Sequence, residues 1–123
     1  MLHPIKIASF RDYATKKAYN NATPGFERVD RKSVLGNPFP MEDESKRSEV
    51  IALYRVWLWE EYGQPEVKAE LNRLLELARQ APLTLVCWCA PKACHAEIIR
   101  SCLIWMDKME NQENHPNMCI DSF

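Results

Sequence analysis

The stretch that decides the fold is Leu83-Thr84-Leu85-Val86-Cys87-Trp88-Cys89. Nearly every position in it is apolar, which is typical of a strand that helices cover on both faces. Apolar residues recur every three or four positions both before and after it, and this spacing predicts flanking helices. We therefore expect a small three-layer, Rossmann-like α/β unit with a short, mostly parallel sheet.

The rest of the chain adds elements around this strand. Helices are predicted over residues 45–62, from Pro65 to about Pro82, and from about Cys94 to Met109. One strand is predicted over 5–10, and a second, with weaker alternation of apolar and polar residues, within 26–34. The polar stretch between them ends at a Thr23-Pro24-Gly25 turn. The expected organisation is one domain over 1–109, with three or four strands, followed by a loosely held tail over 110–123.

Composition limits the classes of function. The chain has 123 residues, of which 46% are hydrophobic and 27% charged, as in an ordinary globular domain. No apolar stretch approaches the length of a bilayer span, and the start lacks the apolar block of a signal peptide, so we expect a cytoplasmic protein without membrane contact. Residues 1–40 carry seven Lys/Arg against three Asp/Glu, and the remainder nine against fourteen. This modest basic bias suits a small anionic ligand but is too weak to predict a nucleic-acid partner.

Cysteines and a histidine cluster at the end of the central strand. Cys87 and Cys89 point to the same face, since side chains alternate along a strand. Cys94 and His95 follow where the next helix begins, and the positive end of the helix dipole favours a thiolate there. The absence of a secretory leader argues against a disulfide framework.

Three interpretations of this cluster stay open. Cys94 is an activated thiolate beside His95 in a ligand pocket, or Cys87, Cys89, Cys94 and His95 hold a zinc ion, or the cysteines are core residues. Trp88 lies between Cys87 and Cys89 and faces the other way, so we expect it to pack in the core.

A second informative segment runs Leu35-Gly36-Asn37-Pro38-Phe39-Pro40 and predicts a rigid loop. The Asn37 amide can either read a ligand or satisfy its own turn. Four basic side chains near the two segments could neutralise a phosphate: Arg31, Lys32, Arg47 and Lys92. No Walker-type or Gly-x-Gly-x-x-Gly loop is present.

Two motifs together resemble a known family. The run Val29-Asp30-Arg31-Lys32-Ser33-Val34-Leu35-Gly36-Asn37-Pro38-Phe39 comes first. Ser45-Lys46-Arg47 then leads into Tyr54-x-x-Trp57-Leu58, and Cys87-Trp88-Cys89-x-Pro91-x-x-Cys94-His95 follows. This order over roughly residues 5–105 resembles domain of unknown function 4326, a family of small bacterial and phage proteins. Members show Gly-Asp after Cys-His, where this chain has Ala96-Glu97, so the acid is kept one position after a small residue. The resemblance implies a shared site built from the Gly-Asn-Pro-Phe loop and the start of the Cys-His helix.

We therefore expect a pocket for a nucleotide or another phosphorylated metabolite between that loop and that helix start. The predicted ligand-binding residues are Arg31, Gly36, Asn37, Pro38, Phe39, Cys89 and Lys92. For catalysis, the candidates are Cys94 as nucleophile, His95 as acid or base and Glu97 as orienting carboxylate.

The alternative is a zinc-stabilised protein-interaction module, for example a phage factor that engages a host protein. Zinc would then be the cofactor. An exposed pair of Trp59 and Trp105 would point to a homodimer or to a partner surface.

Overall fold

The computed structural model describes residues 2–90 and 92–110. Its strands and helices in chain order are β1 (Ile5–Ser9), α1 (Tyr13–Asn20), β2 (Phe26–Arg28), α2 (Arg47–Glu61), α3 (Pro65–Gln80), β3 (Leu83–Cys87) and α4 (His95–Glu110). A single 3-10 turn over Glu44–Lys46 leads into α2. The predicted tail beyond Glu110, with Cys119, lies outside the described residues.

The three strands form one parallel sheet in the order β1-β3-β2. β3 is the central strand and pairs with both neighbours, Ile5 lying opposite Leu83 and Phe26 opposite Thr84. The α/β prediction is confirmed. Because the strands are parallel, their carboxyl ends meet at one edge of the sheet, where ligand sites of open α/β folds are found.

One face of the sheet supports the hydrophobic core. Leu83, Leu85 and Cys87 of β3 join a buried cluster with α2, α3 and α4, in which α4 packs on β1 and β3 while α2 and α3 pack on α4. The other face carries the fully buried Val86, and there α1 contacts β1 and β2. Helices therefore cover both faces, as the apolar character of β3 predicts.

Two elements differ from the sequence prediction. Helix α1 was not predicted because it is polar and buries only Thr15. Asp12 caps its start, accepting a hydrogen bond from the Thr15 backbone N–H. Strand β2 is only three residues long, which explains the weak alternation over 26–34.

One side-chain prediction needs correction, and the condition that the sequence set for a tryptophan partner surface is not met. The spacing of Leu53 from Val50 and Trp57 predicts that it lies on the buried face of α2, but Leu53 is 45% exposed. Trp105 is buried and meets Trp59 edge to face, with the ring centroids 5.9 Å apart, so these residues do not form an exposed pair. In the described part of the chain, no helix is long and apolar enough to cross a bilayer.

Candidate functional site

A cavity of about 410 Å³ lies at the carboxyl ends of β2 and β3. It is bounded by the β2–α2 connection, the first turns of α2 and the β3–α4 connection. The lining residues from these segments are, in chain order, Asp30, Arg31, Lys32, Asn37, Phe39, Met41, Arg47, Val50, Ile51, Trp88, Cys89, Ala93, Cys94 and His95. The loop and the Cys-His helix start thus share one cavity, as the sequence motifs imply.

The predicted site residues divide into two groups. Those that line the cavity are Arg31, Asn37, Phe39, Cys89, Cys94 and His95. Those that do not are Gly36, Pro38, Cys87, Lys92 and Glu97. The contacts of Gly36, Cys87, Lys92 and Glu97 show that they support or border the lining residues.

Gly36 fixes the path of the loop. A Cβ atom at this position would lie 2.5 Å from the Asp30 carbonyl oxygen and 2.6 Å from the Arg31 Cα, so no larger residue fits without moving backbone. The neighbouring Leu35 is buried, and its carbonyl accepts a 2.6 Å hydrogen bond from the Tyr54 hydroxyl of α2. The loop is therefore anchored to both the β2 end and α2.

Asn37 serves the turn and still borders the cavity. Its Oδ1 accepts a 2.9 Å hydrogen bond from the Phe39 backbone N–H, the turn-forming role that the sequence left open. One lone pair of Oδ1 is thereby used, and the NH2 group of Asn37 can donate to a ligand in the cavity. Arg31 donates from Nη2 to the Phe39 carbonyl at 3.1 Å, which adds a second tie across the same loop.

Asp30 is the centre of a polar network that the sequence did not single out. Only 5% exposed, it accepts two hydrogen bonds from Arg28, at 2.9 and 2.8 Å, and one from the Lys32 backbone N–H at 3.2 Å. It also accepts a 2.9 Å bond from the Trp88 indole. Burial raises the pKa of Asp30, but the bonds from Arg28, Trp88 and Lys32 outweigh it and lower the pKa.

Trp88 corrects the prediction of a core tryptophan. It is 46% exposed and lines the cavity. Because side chains alternate along a strand, Trp88 points to the face of the sheet opposite the main core. β3 ends at Cys87, however, and the cavity lies on that face just beyond the end of the strand. The feature of the sequence that indicates its exposure is the position of Trp88 immediately after the central strand, inside the cysteine motif.

The basic residues differ in how they are engaged. Arg47 makes a two-point ion pair with Glu44, at 2.8 and 2.7 Å, and donates to the Ala93 carbonyl at 2.7 Å. Lys92 also pairs with Glu44, at 3.1 Å, which explains its absence from the lining. Within residues 2–90 and 92–110, Arg31 and Lys32 have no carboxylate partner, so they are the cations available to an anion.

His95 is buried and held in one tautomer. Its Nε2 contacts the Val29 carbonyl oxygen, which can only accept, so Nε2 carries the proton. The ring also packs edge to face on Tyr54, with the centroids 5.0 Å apart. Burial lowers the pKa of His95, so the imidazole is neutral near pH 7 and its Nδ1 lone pair remains available.

Cys94 and Glu97 cap the start of α4 reciprocally. The Cys94 Sγ accepts from the Ala96 backbone N–H at 3.3 Å, and the Glu97 Oε2 accepts from the Cys94 backbone N–H at 3.0 Å. This resembles a capping box, except that the cap is a thiol and that it accepts from the second helical residue instead of the third. The contact that orients His95 comes from Val29, whereas the Glu97 carboxylate is engaged at the cap.

Three thiols lie beside the cavity, and their surroundings shift the pKa values of Cys89 and Cys94 in opposite directions. The Sγ atoms of Cys87 and Cys94 lie 3.3 Å apart. Hydrogen bonds to Cys87 and Cys89, together with burial, raise the pKa of Cys94, contrary to the expected helix-dipole activation. The hydrogen bond from Cys94, together with the Arg47 guanidinium, outweighs burial and lowers the pKa of the half-buried Cys89 to about 5. Cys94 likewise lowers the pKa of Cys87 to about 7, but Cys87 is fully buried.

The predicted four-ligand zinc set does not fit this arrangement. In the part of the chain that the structure describes, no three His, Cys, Asp or Glu side chains are placed to hold one metal ion. The His95 Nε2 is bonded to Val29, and the Cys94 Sγ is bonded to the start of α4. These contacts would have to be rearranged before both residues could ligate.

Comparisons with known proteins place the chain in a family. Neither the curated proteins nor the solved structures contain a match. The family model described as "Domain of unknown function (DUF4326)" matches residues 13–105, which is well over half of the chain and spans both motifs. The fold and cavity described above therefore belong to a member of the DUF4326 family.

Proposed function

We propose that this domain binds a small phosphorylated metabolite, a nucleotide or a sugar phosphate, in the cavity at the carboxyl ends of β2 and β3. The observation that carries the proposal is the placement of Arg31 and Lys32 at a cavity edge without carboxylate partners among the described residues. A guanidinium and an ammonium there favour a phosphate, which the guanidinium can bind through two parallel hydrogen bonds.

The remaining charges at the cavity do not oppose an anion. The Asp30 carboxylate is neutralised by Arg28. The two cations Arg47 and Lys92 together offset Glu44 and the Cys89 thiolate, whose pKa Arg47 lowers. His95 contributes no charge near pH 7, and the Asn37 NH2 group adds a neutral donor. The field at the cavity edge is therefore set mainly by Arg31 and Lys32.

The position and size of the cavity agree with this ligand class. Ligands of open α/β sheets bind at the carboxyl ends of the strands, where this cavity lies. Its volume of about 410 Å³ falls in the lower part of the range for small-molecule sites, roughly 300–1,000 Å³. Val50 and Ile51 supply an apolar wall for the part of the ligand that carries no charge.

A thermal-shift screen of the whole chain against nucleotides and sugar phosphates tests the proposal, because a ligand that binds the folded state raises the Tm. Affinities of the compounds that stabilise the chain are then measured by calorimetry. The double variant Arg31→Gln/Lys32→Gln is expected to lose about tenfold or more in affinity, as two charge-assisted contacts are removed.

The matched control is Lys16→Gln/Lys17→Gln, which removes the same charge from the exposed surface of α1. It is expected to keep the affinity of the unaltered chain. The proposal fails if no phosphorylated compound raises the Tm, or if both double variants lose affinity equally, because the effect would then be one of net charge alone.

A further inference from the structure

Trp88 is an unusual surface residue. Large aromatic side chains are ordinarily buried, yet this indole is 46% exposed and borders the cavity rather than the general surface. An exposed aromatic ring inside a concave site is a feature of ligand recognition.

The indole is held rigidly from two sides. Its Nε1–H donates to the Asp30 Oδ2 at 2.9 Å, and Asp30 is itself fixed by the two bonds from Arg28. Phe10 packs against the ring, with the centroids 5.2 Å apart, and Tyr19 packs edge to face on Phe10. A ring fixed in this way loses little conformational freedom when a ligand covers it.

The same contacts determine which part of the Trp88 side chain can interact with a ligand. The only polar atom of the indole is already bonded to Asp30, so the ring can contribute only its apolar π face. Asp30 is followed directly by Arg31 and Lys32, so one short segment holds the ring and supplies the phosphate-binding cations. The matching ligand has a planar aromatic group and a phosphate close together.

Building on the phosphate site proposed above, we propose that Trp88 is a preformed stacking platform for a nucleobase and that the ligand is a mononucleotide. Stacking on an aromatic side chain accepts any base, because every base has a π face. The volume of about 410 Å³ favours a mononucleotide over a dinucleotide.

Calorimetric titration of the whole chain with AMP, UMP and ribose 5-phosphate tests this inference. All three carry one phosphate on a pentose, and only the first two carry a base. We expect both nucleotides to bind at least fivefold more tightly than ribose 5-phosphate, the lower end of what base stacking on an aromatic side chain contributes.

Variants at Trp88 separate stacking from the Asp30 hydrogen bond. Trp88→Leu and Trp88→Phe both lose that bond, but only the phenylalanine keeps a ring. Trp88→Leu is expected to reduce AMP affinity to the level of ribose 5-phosphate, and Trp88→Phe to retain part of the difference. Tyr13→Leu removes another exposed aromatic ring outside the cavity and is expected to change neither affinity.

The outcomes distinguish the two proposals. If ribose 5-phosphate and the nucleotides bind equally to the unaltered chain, the stacking platform is wrong and the phosphate site stands. Equal loss of AMP and ribose 5-phosphate affinity in Trp88→Leu also overturns the platform. If none of the three compounds binds, this inference falls together with a phosphate site for these ligands. The comparison of nucleotide and ribose 5-phosphate affinities on the unaltered chain tests the stacking platform even if a Trp88 variant does not fold.

Discussion

Cys89 is the residue whose chemistry depends most on its neighbours. It is the only one of the three clustered thiols that is not fully buried, and it lines the cavity. Arg47 is held in place by Glu44 and the Ala93 carbonyl, so the cation that favours the Cys89 thiolate is itself fixed. The pKa of Cys89 is lowered while that of Cys94 is raised, so we expect Cys89, rather than Cys94, to ionise first.

Alkylation by iodoacetamide is therefore expected to modify Cys89 faster than Cys94 or Cys102 at pH 7. The pKa of Cys89 is lowered to about 5, that of Cys94 is raised, and burial raises the pKa of Cys102 to about 12. Because the thiolate reacts, the rate at Cys89 should stay nearly constant from pH 8 to 6 and fall as the pH drops through about 5.

Peptide mass spectrometry measures each rate. Arg47→Gln should move the Cys89 midpoint to higher pH, since it removes the cation that favours the thiolate. Arg55→Gln, on the same helix but away from the cavity, should leave the midpoint in place. Faster modification of Cys94 than of Cys89 would contradict the assignment and restore the expectation from the helix dipole.

At the scale of elements, the Gly-Asn-Pro-Phe loop depends on close backbone packing. Gly36→Ala places a methyl group within 2.6 Å of backbone atoms of Asp30 and Arg31, so the loop must shift. We expect the free energy of unfolding to fall by about 1–3 kcal/mol, as for other overpacked sites. Urea denaturation measures the change.

Gly63→Ala is the matched control for that substitution. Apart from Gly63 and its chain neighbours, no described atom lies within 4 Å of the added methyl, and the φ angle of Gly63 is not in the left-handed region. It is expected to be neutral or to stabilise by about 0.4–1 kcal/mol. Similar losses in both variants would show that the close approach at Gly36 does not matter.

The start of α4 gives a second prediction at this scale. Glu97→Ala removes the acceptor for the Cys94 backbone N–H and is expected to cost about 1 kcal/mol of unfolding free energy. Glu97→Gln keeps an oxygen acceptor and should retain most of that stability in the same urea assay. If Glu97→Gln were as unstable as Glu97→Ala, the negative charge rather than the cap would be what α4 requires.

Much of the fold could be predicted because its long elements have regular apolar spacing. Val67, Leu71 and Leu74 recur along α3, and all three are buried. Helix α1 lacks such a stripe because it buries only Thr15, and the Asp12 cap fixes where it begins. A three-residue β2 is too short to show alternation, so its limits depend on pairing with β3.

The cavity shared by the two motifs could be predicted from the sequence, but the contacts within it could not. The two motifs identify the cavity because both lie at the carboxyl ends of strands. The opposite pKa shifts of Cys89 and Cys94 depend on how the thiols and Arg47 are arranged in space, which spacing along the chain does not encode. The exposure of Trp88 depends on where the helical cover of the sheet ends, which is also a property of the folded molecule.

For the molecule as a whole, the contacts of the Cys-His cluster bear on the zinc alternative. The Cys94 Sγ and the His95 Nε2 are hydrogen-bonded within the protein, so stability need not come from a metal. We expect a metal chelator to leave the Tm unchanged in a thermal melt, and elemental analysis to find well under one zinc per chain. A full zinc equivalent, with unfolding on chelation, would instead support the interaction module.

The strand order has a consequence for how the chain acquires its structure. Within the described sheet, β1 and β2 each pair only with β3, so neither has a strand partner until residues 83–87 join them. Completing the sheet pairs Phe26 with Thr84 and Ile5 with Leu83, residues far apart in the chain. Such long-range pairing is associated with slow folding and with strand edges left open in the meantime. A fragment that stops at Pro82 is expected to give no β signal in circular dichroism, whereas independent pairing of its two strands would produce one. During synthesis, the sheet can form only after the last of its three strands has emerged.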